Sequence, residues 1–179
     1  YWSKRVTLPF KPHIGTLSCS PEIDSINTLT PDTHGGNMDL PDMGPGSITY
    51  LPVQSSGGRL FIGDAHACQG DGEVCITALE TALTGTFRFD VLKGAGAQIT
   101  LPRAETADEI ISMGFHASLD TALQIALREM IAMICERSDI SETQAYQLCS
   151  LAVDFAVTQS VNQEKGVHGR RRKSLLQLG

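Results

Sequence analysis

The sequence predicts an α+β fold: a β-rich, sandwich- or barrel-like domain followed by a C-terminal amphipathic helical hairpin. Three observations carry that expectation. Short apolar runs bounded by Gly, Pro, Asn and Asp recur through residues 1–116. At Ser118 the apolar period lengthens, because Leu119, Ala122, Leu123, Ala126, Leu127, Met130, Ile131 and Ile134 fall on one helical face. Ser141, with Gln144 following in capping-box spacing, then opens a second apolar stripe. Residues 1–116 are accordingly read as the β-rich domain, bearing two loops rich in acid and histidine. Residues 117–179 are read as the helical hairpin and C-terminal segment of the same structural unit.

Taken in order, Val6, Leu8 and Phe10 alternate as in a strand, which Pro9 and Pro12 confine to a sheet edge. His13 follows a proline and reads as a structural hydrogen-bonder. Residues 18–47 hold Pro21, Pro31, Pro41 and Pro45 and support no helical period. Long irregular segments inside a domain tend to be functional, and this one carries His34, Asn37, Asp39 and Asp42. Gly35 and Gly36 are expected to turn the backbone so that His34 and Asp39 face one point. Ser47–Val53 reads as a strand, and Arg59–Ile62 as a short one delivering the loop Gly63–Glu73. Val74–Leu79 is apolar on both parities, as in a strand buried on both faces, which puts Cys75 in the core. Phe87–Val91 alternates strictly and reads as a half-exposed strand, with Ala97–Leu101 and Glu109–Met113 as two more. Ser118 caps the first helix; the second sends Ala145, Leu148, Cys149, Ala152 and Phe155 inward after the short connection Ser138–Ile140.

Composition narrows the function classes. With 41% hydrophobic and 19% charged residues in 179, the chain is expected to bury one ordinary core or two small ones. A net charge of −6 repels a phosphate backbone, and no basic face with interleaved aromatics is present, so nucleic acid is excluded as a partner. The run Arg170-Arg171-Arg172-Lys173 reads as a solvated tail. No apolar run approaches the ~18 residues of a membrane span. The five cysteines are odd in number and lack Cys-x-x-Cys spacing, which points to a reducing, cytoplasmic setting.

The chemistry concentrates in Gly63–Glu73, where Asp64, Asp71, Glu73 and His66 stand among three glycines. Acids this close repel unless something positive lies among them. With the earlier loop, the chain offers His34, Asp39, Asp64, His66 and Glu73, a nitrogen-and-oxygen set suited to zinc or another divalent cation such as calcium. Asp64 and His66, two residues apart, share one face of an extended segment. A polar hairpin with Asx turns and a surface His66 is the other reading.

The stretch Gly63-Asp64-Ala65-His66-Ala67-Cys68-Gln69-Gly70-Asp71-Gly72-Glu73-Val74 resembles the signature of the acetamidase/formamidase family. Gly35-Gly36-Asn37-Met38-Asp39, Pro12-His13-Ile14-Gly15 and Asp154–Asn162 also resemble family segments, in order, and the whole is similar to the C-terminal portion of longer chains. The resemblance implies hydrolysis of the C–N bond of short carboxamides to ammonia and a carboxylate by a metal-activated water. It implies Glu73 or Asp64 as the proton acceptor, and Asn37, Gln69 and His168 as substrate-binding groups. Near the end Arg172 stands where the family pattern has a proline. Two alternatives differ in kind: Cys68 as the nucleophile of an acyl-enzyme, and a non-catalytic, metal-stabilised subunit of a larger assembly. The chain opens on Tyr1 rather than methionine, and its helical stripes exceed what one short β-layer needs. The expected partners are therefore the N-terminal portion of the family chain or a homo-oligomeric mate, besides the small amide.

Overall fold

The computed structural model describes residues 3–23, 25–94 and 98–175. Its elements are β1 (His13–Ser18), β2 (Gly35–Asn37), β3 (Ile48–Tyr50), β4 (Phe61–His66), β5 (Arg103–Glu105), β6 (Glu109–His116), α1 (Leu119–Cys135), α2 (Glu142–Ala152), β7 (Asp154–Gln159) and β8 (Lys165–Arg172). They form a three-stranded sheet in the order β2-β1-β4 and a five-stranded sheet in the order β3-β5-β6-β8-β7. Every pairing is antiparallel, and neither sheet closes into a barrel.

Alternation along β6 sets the layering. Ile111, Met113 and Phe115 point to one side and bury against Met38, Leu40, Met43 and Ala104. Ile110 points to the other side, into a cluster with Met130, Met133, Ile134, Ala145 and Cys149 from the helices. Gly114 shares that helix-facing parity, and an added Cβ there would lie 2.3 Å from the Ala122 carbonyl and 2.5 Å from the Ala126 nitrogen. Only a glycine lets α1 come this close to the sheet. The Ser112 hydroxyl then donates to the Ala126 carbonyl at 2.8 Å, so the buried polar groups at the contact are paired.

The helices follow the sequence reading. α1 begins after Ser118, although that side chain makes no capping bond. At α2 the Ser141 hydroxyl accepts from the Gln144 N–H, and the Gln144 side chain accepts from the Ser141 N–H. The pair is not C-terminal, however. It stands between β6 and β7, and Phe155, expected on the second helix, lies on β7. The five-stranded sheet draws strands from both sides of residue 116.

Several expected strands are absent. Val6 and Leu8 are exposed and Phe10 more so, with only a Ser3–Val6 bridge among the described residues; regular pairing begins after Pro12, which has no N–H to give. Val74–Leu79 is not a buried strand: Val74 is 85% and Ile76 62% exposed, and Cys75 faces solvent rather than the core. Phe87–Val91 forms no strand and pairs with none among the described residues, with Phe89 63% and Val91 77% exposed. Ala97 lies outside the described residues, Gln98–Leu101 is irregular, and pairing starts instead at Arg103. The basic run is no tail. Arg170 pairs with Asp42 and Asp71 and Arg171 is buried, because both lie on β8, an interior strand of the sheet, and Lys173, just past that strand, reaches Glu105.

Candidate active site

Sheet register assembles the cluster. Across β1 and β4, His13 is opposite His66 and Ile14 opposite Ala65, while Thr16 is opposite Asn37 on β2. Gly15 therefore lies beneath the side chains arriving from both neighbours. A Cβ added to it would stand 2.6 Å from Asp39 Oδ1, 2.6 Å from Asp64 Oδ2 and 2.8 Å from His66 Cε1. Asp39, Asp64 and Glu73 all hold left-handed backbones, with φ of 51°, 61° and 39°. Such conformations cost a non-glycine residue roughly 1–2 kcal/mol and persist only where their surroundings impose them. Asp64 and His66 thus stand on a strand rather than in the loop expected, and the local kink at Asp64 aims its carboxylate back over Gly15.

Charge is unevenly shared. His66 Nε2 lies 3.3 Å from Asp64 Oδ1, 3.3 Å from Glu80 Oε2 and 4.0 Å from Asp39 Oδ1. Burial pulls the imidazole pKa down, but the hydrogen bond to Asp64 and the charges of Asp64, Glu80 and Asp39 outweigh it and lift it to about 9. The same hydrogen bond holds Asp64 below its ordinary value. Burial, then the charge of Asp39 and a hydrogen bond with it, raises Glu73 to about 8, and Asp39 is itself raised by burial. Both carboxyls are thus held toward the neutral form, and Glu73 Oε2 is buried without a hydrogen-bond partner among the described residues.

A polar frame fixes these groups. The Asn162 amide donates to Asp39 Oδ2 at 2.5 Å. In the orientation that matches donors to acceptors, the Asn37 amide nitrogen faces Asp64 Oδ2 (2.7 Å) and Asp39 Oδ1 (3.2 Å), and its oxygen accepts from Asn162 at 3.1 Å. The Gln69 amide donates to the Asp39 carbonyl at 2.7 Å, and its oxygen is 3.0 Å from His66 Nδ1 and 3.1 Å from His13 Nε2. The Gly72 N–H donates to the Thr158 carbonyl at 3.0 Å and the Gly72 carbonyl accepts from the Ser160 N–H at 3.1 Å, which docks the Glu73 turn against the end of β7.

Asp39, Asp64, His66 and Glu73 thus converge from two stretches of chain. His34 does not join them. It precedes β2 whereas Asp39 follows it, so the strand separates the two, and His34 lines a different cleft with Ser18, Cys19 and Phe61. The amides of Asn37 and Gln69 are engaged by protein groups on both their nitrogen and oxygen. His168 is fully buried on β8, with Nδ1 2.6 Å from the Thr158 hydroxyl; burial and then Arg170 press its pKa down to about 4. Cys68 is half-buried, and no basic side chain hydrogen-bonds its sulfur among the described residues. Residues the sequence reading passed over are Gly15, Thr16, Glu80 and Asn162. Gly15 and Asn162 lie inside the family-like segments, whereas Glu80 stands just past the run Val74–Leu79 read as a buried strand.

The donor set fits a divalent cation. Asp39, Asp64 and His66 offer ligand atoms all within 4.8 Å of one another, as do His66, Glu73 and Glu80. The space above Gly15 into which they point is one that even a Cβ would crowd. An imidazole among carboxylates suits zinc better than calcium, which takes six to eight oxygens.

A family model described as "Acetamidase/Formamidase family" matches residues 13–165. A formamidase of Methylophilus methylotrophus is 43% identical over 51 residues, which is 28% of this chain and 12% of that one. An acetamidase of Mycolicibacterium smegmatis is 36% identical over 72 residues, 40% of this chain and 18% of that protein. Among solved structures, an acetamidase from Yersinia enterocolitica superposes with a TM-score of 0.87 at 48% identity, over 99% of this chain and 53% of that one. An acetamidase from Bacillus halodurans gives 0.84 at 31% identity, over 97% of this chain and 58% of that one. The chain spans a little over half the length of these solved relatives.

Proposed function

The chain belongs to the acetamidase/formamidase family, and we propose that it carries the hydrolytic site of an amidase acting on short carboxamides, releasing ammonia and a carboxylate. One observation carries the proposal. Three ligand-type groups, Asp39, Asp64 and His66, converge above Gly15, and a fourth buried carboxyl, Glu73, keeps an oxygen without a protein partner. Three protein ligands and an open position are the pattern of hydrolytic rather than structural zinc. A cation held there, zinc before calcium, would supply Lewis-acid polarisation and a lowered pKa for water at neutral pH.

The chain's own residues divide the remaining work. Asp64, kept ionised by His66, suits the role of ligand. Glu73, whose other neighbour is the Asp39 carboxyl, suits the role of proton carrier, taking a proton from the attacking water and returning it to the departing nitrogen. Two carboxyls pushed apart in pKa serve two functions. The frame of Asn37, Asn162 and Gln69 holds the ligands, with Asn37 and Gln69 acting on the substrate only through that frame, and His168, buried against Thr158, makes no hydrogen bond to it among the described residues. Ammonia release from formamide and acetamide, measured with a chelator and separately with a thiol blocker, tests the reading. Loss with chelator and retention with the blocker supports it; the reverse would favour Cys68.

A partner follows from the exposed apolar stretch. Leu83, Phe87, Phe89, Val91 and Leu92 are exposed on a run without strand pairing among the described residues, beyond residues 79–81, which bond back to 65–68. The part of the family fold that this chain does not span is the proposed cover, since the solved relatives carry more than two fifths of their length outside it. Mixing the chain with that portion of a relative and measuring solution mass distinguishes this from pairing of two copies.

A further inference from the structure

We propose that His13 and Gln69 are positioning residues that together fix a proton on Nδ1 of His66, so that its Nε2 edge is the one offered to Asp39 and Asp64. The inference rests on reading that cluster as a cation site, and it names the device that orients one ligand.

Hydrogen bonding determines the roles of all three groups. The Gln69 nitrogen donates to the Asp39 carbonyl at 2.7 Å and points to the Thr158 carbonyl at 3.5 Å, so Gln69 Oε1 must face the histidines as an acceptor. His13 Nδ1 lies 3.0 Å from the Lys11 carbonyl, which can only accept; that contact selects the Nδ1–H tautomer, in which Nε2 is an acceptor too. These two acceptors stand 3.1 Å apart and converge on His66 Nδ1, at 3.0 Å from Gln69 and 3.2 Å from His13. Acceptors this close repel unless a donor lies between them. A proton on His66 Nδ1, shared in a three-centre bond, satisfies both.

Packing makes the arrangement rigid. His13 and His66 are cross-strand partners on β1 and β4, both buried, with ring planes at 88° and centroids 4.9 Å apart. In this perpendicular packing His66 Nδ1 lies within hydrogen-bond distance of His13 Nε2, at 3.2 Å. His66 then has no freedom to turn, and Nε2 is left toward the carboxylates. Gln69 does a second thing: by holding the Asp39 carbonyl, it ties the position of one candidate ligand to the orientation of another. A histidine whose far nitrogen is fixed by a hydrogen bond presents the near one as a ligand without reorganisation.

The test uses the full chain. Imidazole ¹⁵N spectra of zinc-free protein, followed from neutral to alkaline pH, are expected to show the His66 Nδ1 proton retained throughout while the Nε2 proton is lost. A bare Nδ1 would overturn the proposal, and this readout needs neither a variant nor a metal. Zinc affinity by competition with a chromophoric chelator is then compared for His13→Phe, Gln69→Leu and the double variant, with circular dichroism to verify folding. Because either acceptor alone can hold the proton, each single change is expected to weaken zinc about threefold and the double change about 10–100-fold, the range for loss of outer-shell partners. Unchanged affinity in a folded double variant would overturn the proposal. Failure of the unaltered chain to bind zinc would instead overturn the cation-site reading, and the spectra would still decide the His66 proton.

Discussion

Replacing Gly15 with alanine should empty the site while sparing the fold. The added Cβ would begin 2.6 Å from Asp39 Oδ1 and Asp64 Oδ2 and 2.8 Å from His66 Cε1. Ordinary contact begins at 3.4 Å, so each aspartate oxygen must retreat by 3.4 − 2.6 = 0.8 Å and the imidazole by 3.4 − 2.8 = 0.6 Å. Metal–ligand distances tolerate about 0.2 Å. The required shifts are three to four times that, and they affect three ligands together, held by Asn37, Asn162 and Gln69 against compensating movement. Overpacking of this kind costs about 1–3 kcal/mol, which for a domain of this size lowers Tm by a few degrees. Zinc at 100 times its Kd should stabilise the unaltered chain by about 2.7 kcal/mol. The assay is a thermal melt with and without zinc, alongside direct zinc titration. We expect Gly15→Ala to melt cooperatively a few degrees lower, to gain nothing from zinc, and to lose at least about 100-fold in affinity. An alanine variant with the original affinity and zinc-induced shift would refute the cradle geometry.

Glu73→Gln is expected to abolish ammonia release and leave folding at neutral pH nearly unchanged, because burial and the Asp39 charge already hold that carboxyl toward its neutral form, which an amide resembles; turnover by the variant would move the proton-carrying role to Asp64. Zinc binding at pH 7 should release about two protons, one each from His66 and Glu73, whose pKa values are raised to about 9 and about 8; titration calorimetry in buffers of different ionisation enthalpy counts them. Zinc-free stability should fall as pH rises. Glu73 binds more protons folded than unfolded between its ordinary 4.5 and about 8, and the stabilisation of charged His66, full below 6.5, is lost as pH rises through about 9. Chemical denaturation across that window reads the slope, which should shrink in Glu73→Gln; stability rising with pH would contradict the raised values. Phe87→Ser with Phe89→Ser should change the isolated chain's stability by no more than about 0.5 kcal/mol, since both rings are exposed, while abolishing association with the remainder of a family chain.

The sequence by itself determined what short-range physics controls. The period of α1, the Ser141–Gln144 capping box of α2 and the short apolar run of β6 all depend on residues a few positions apart, and each formed, with β6 running on past Met113 to His116. The acid-and-histidine stretches were also legible, because their residue types stand out against the chain and match family segments in order. Tertiary structure alone decided which apolar runs would pair. Phe87–Val91 alternates at least as well as Arg103–Glu105, yet only the latter found neighbours, since a strand is stabilised by partners that the run does not contain. The same long-range register replaced His34 with His13 beside His66 and turned the Arg170–Arg172 run from an expected tail into a central strand. Gly15 shows the limit most plainly: its neighbours are Asp39, from just past β2, and Asp64, from within β4, and nothing within reach of Gly15 along the chain announces them. Convergence of like charges over one glycine is a property of three strands in register, which only the folded chain possesses.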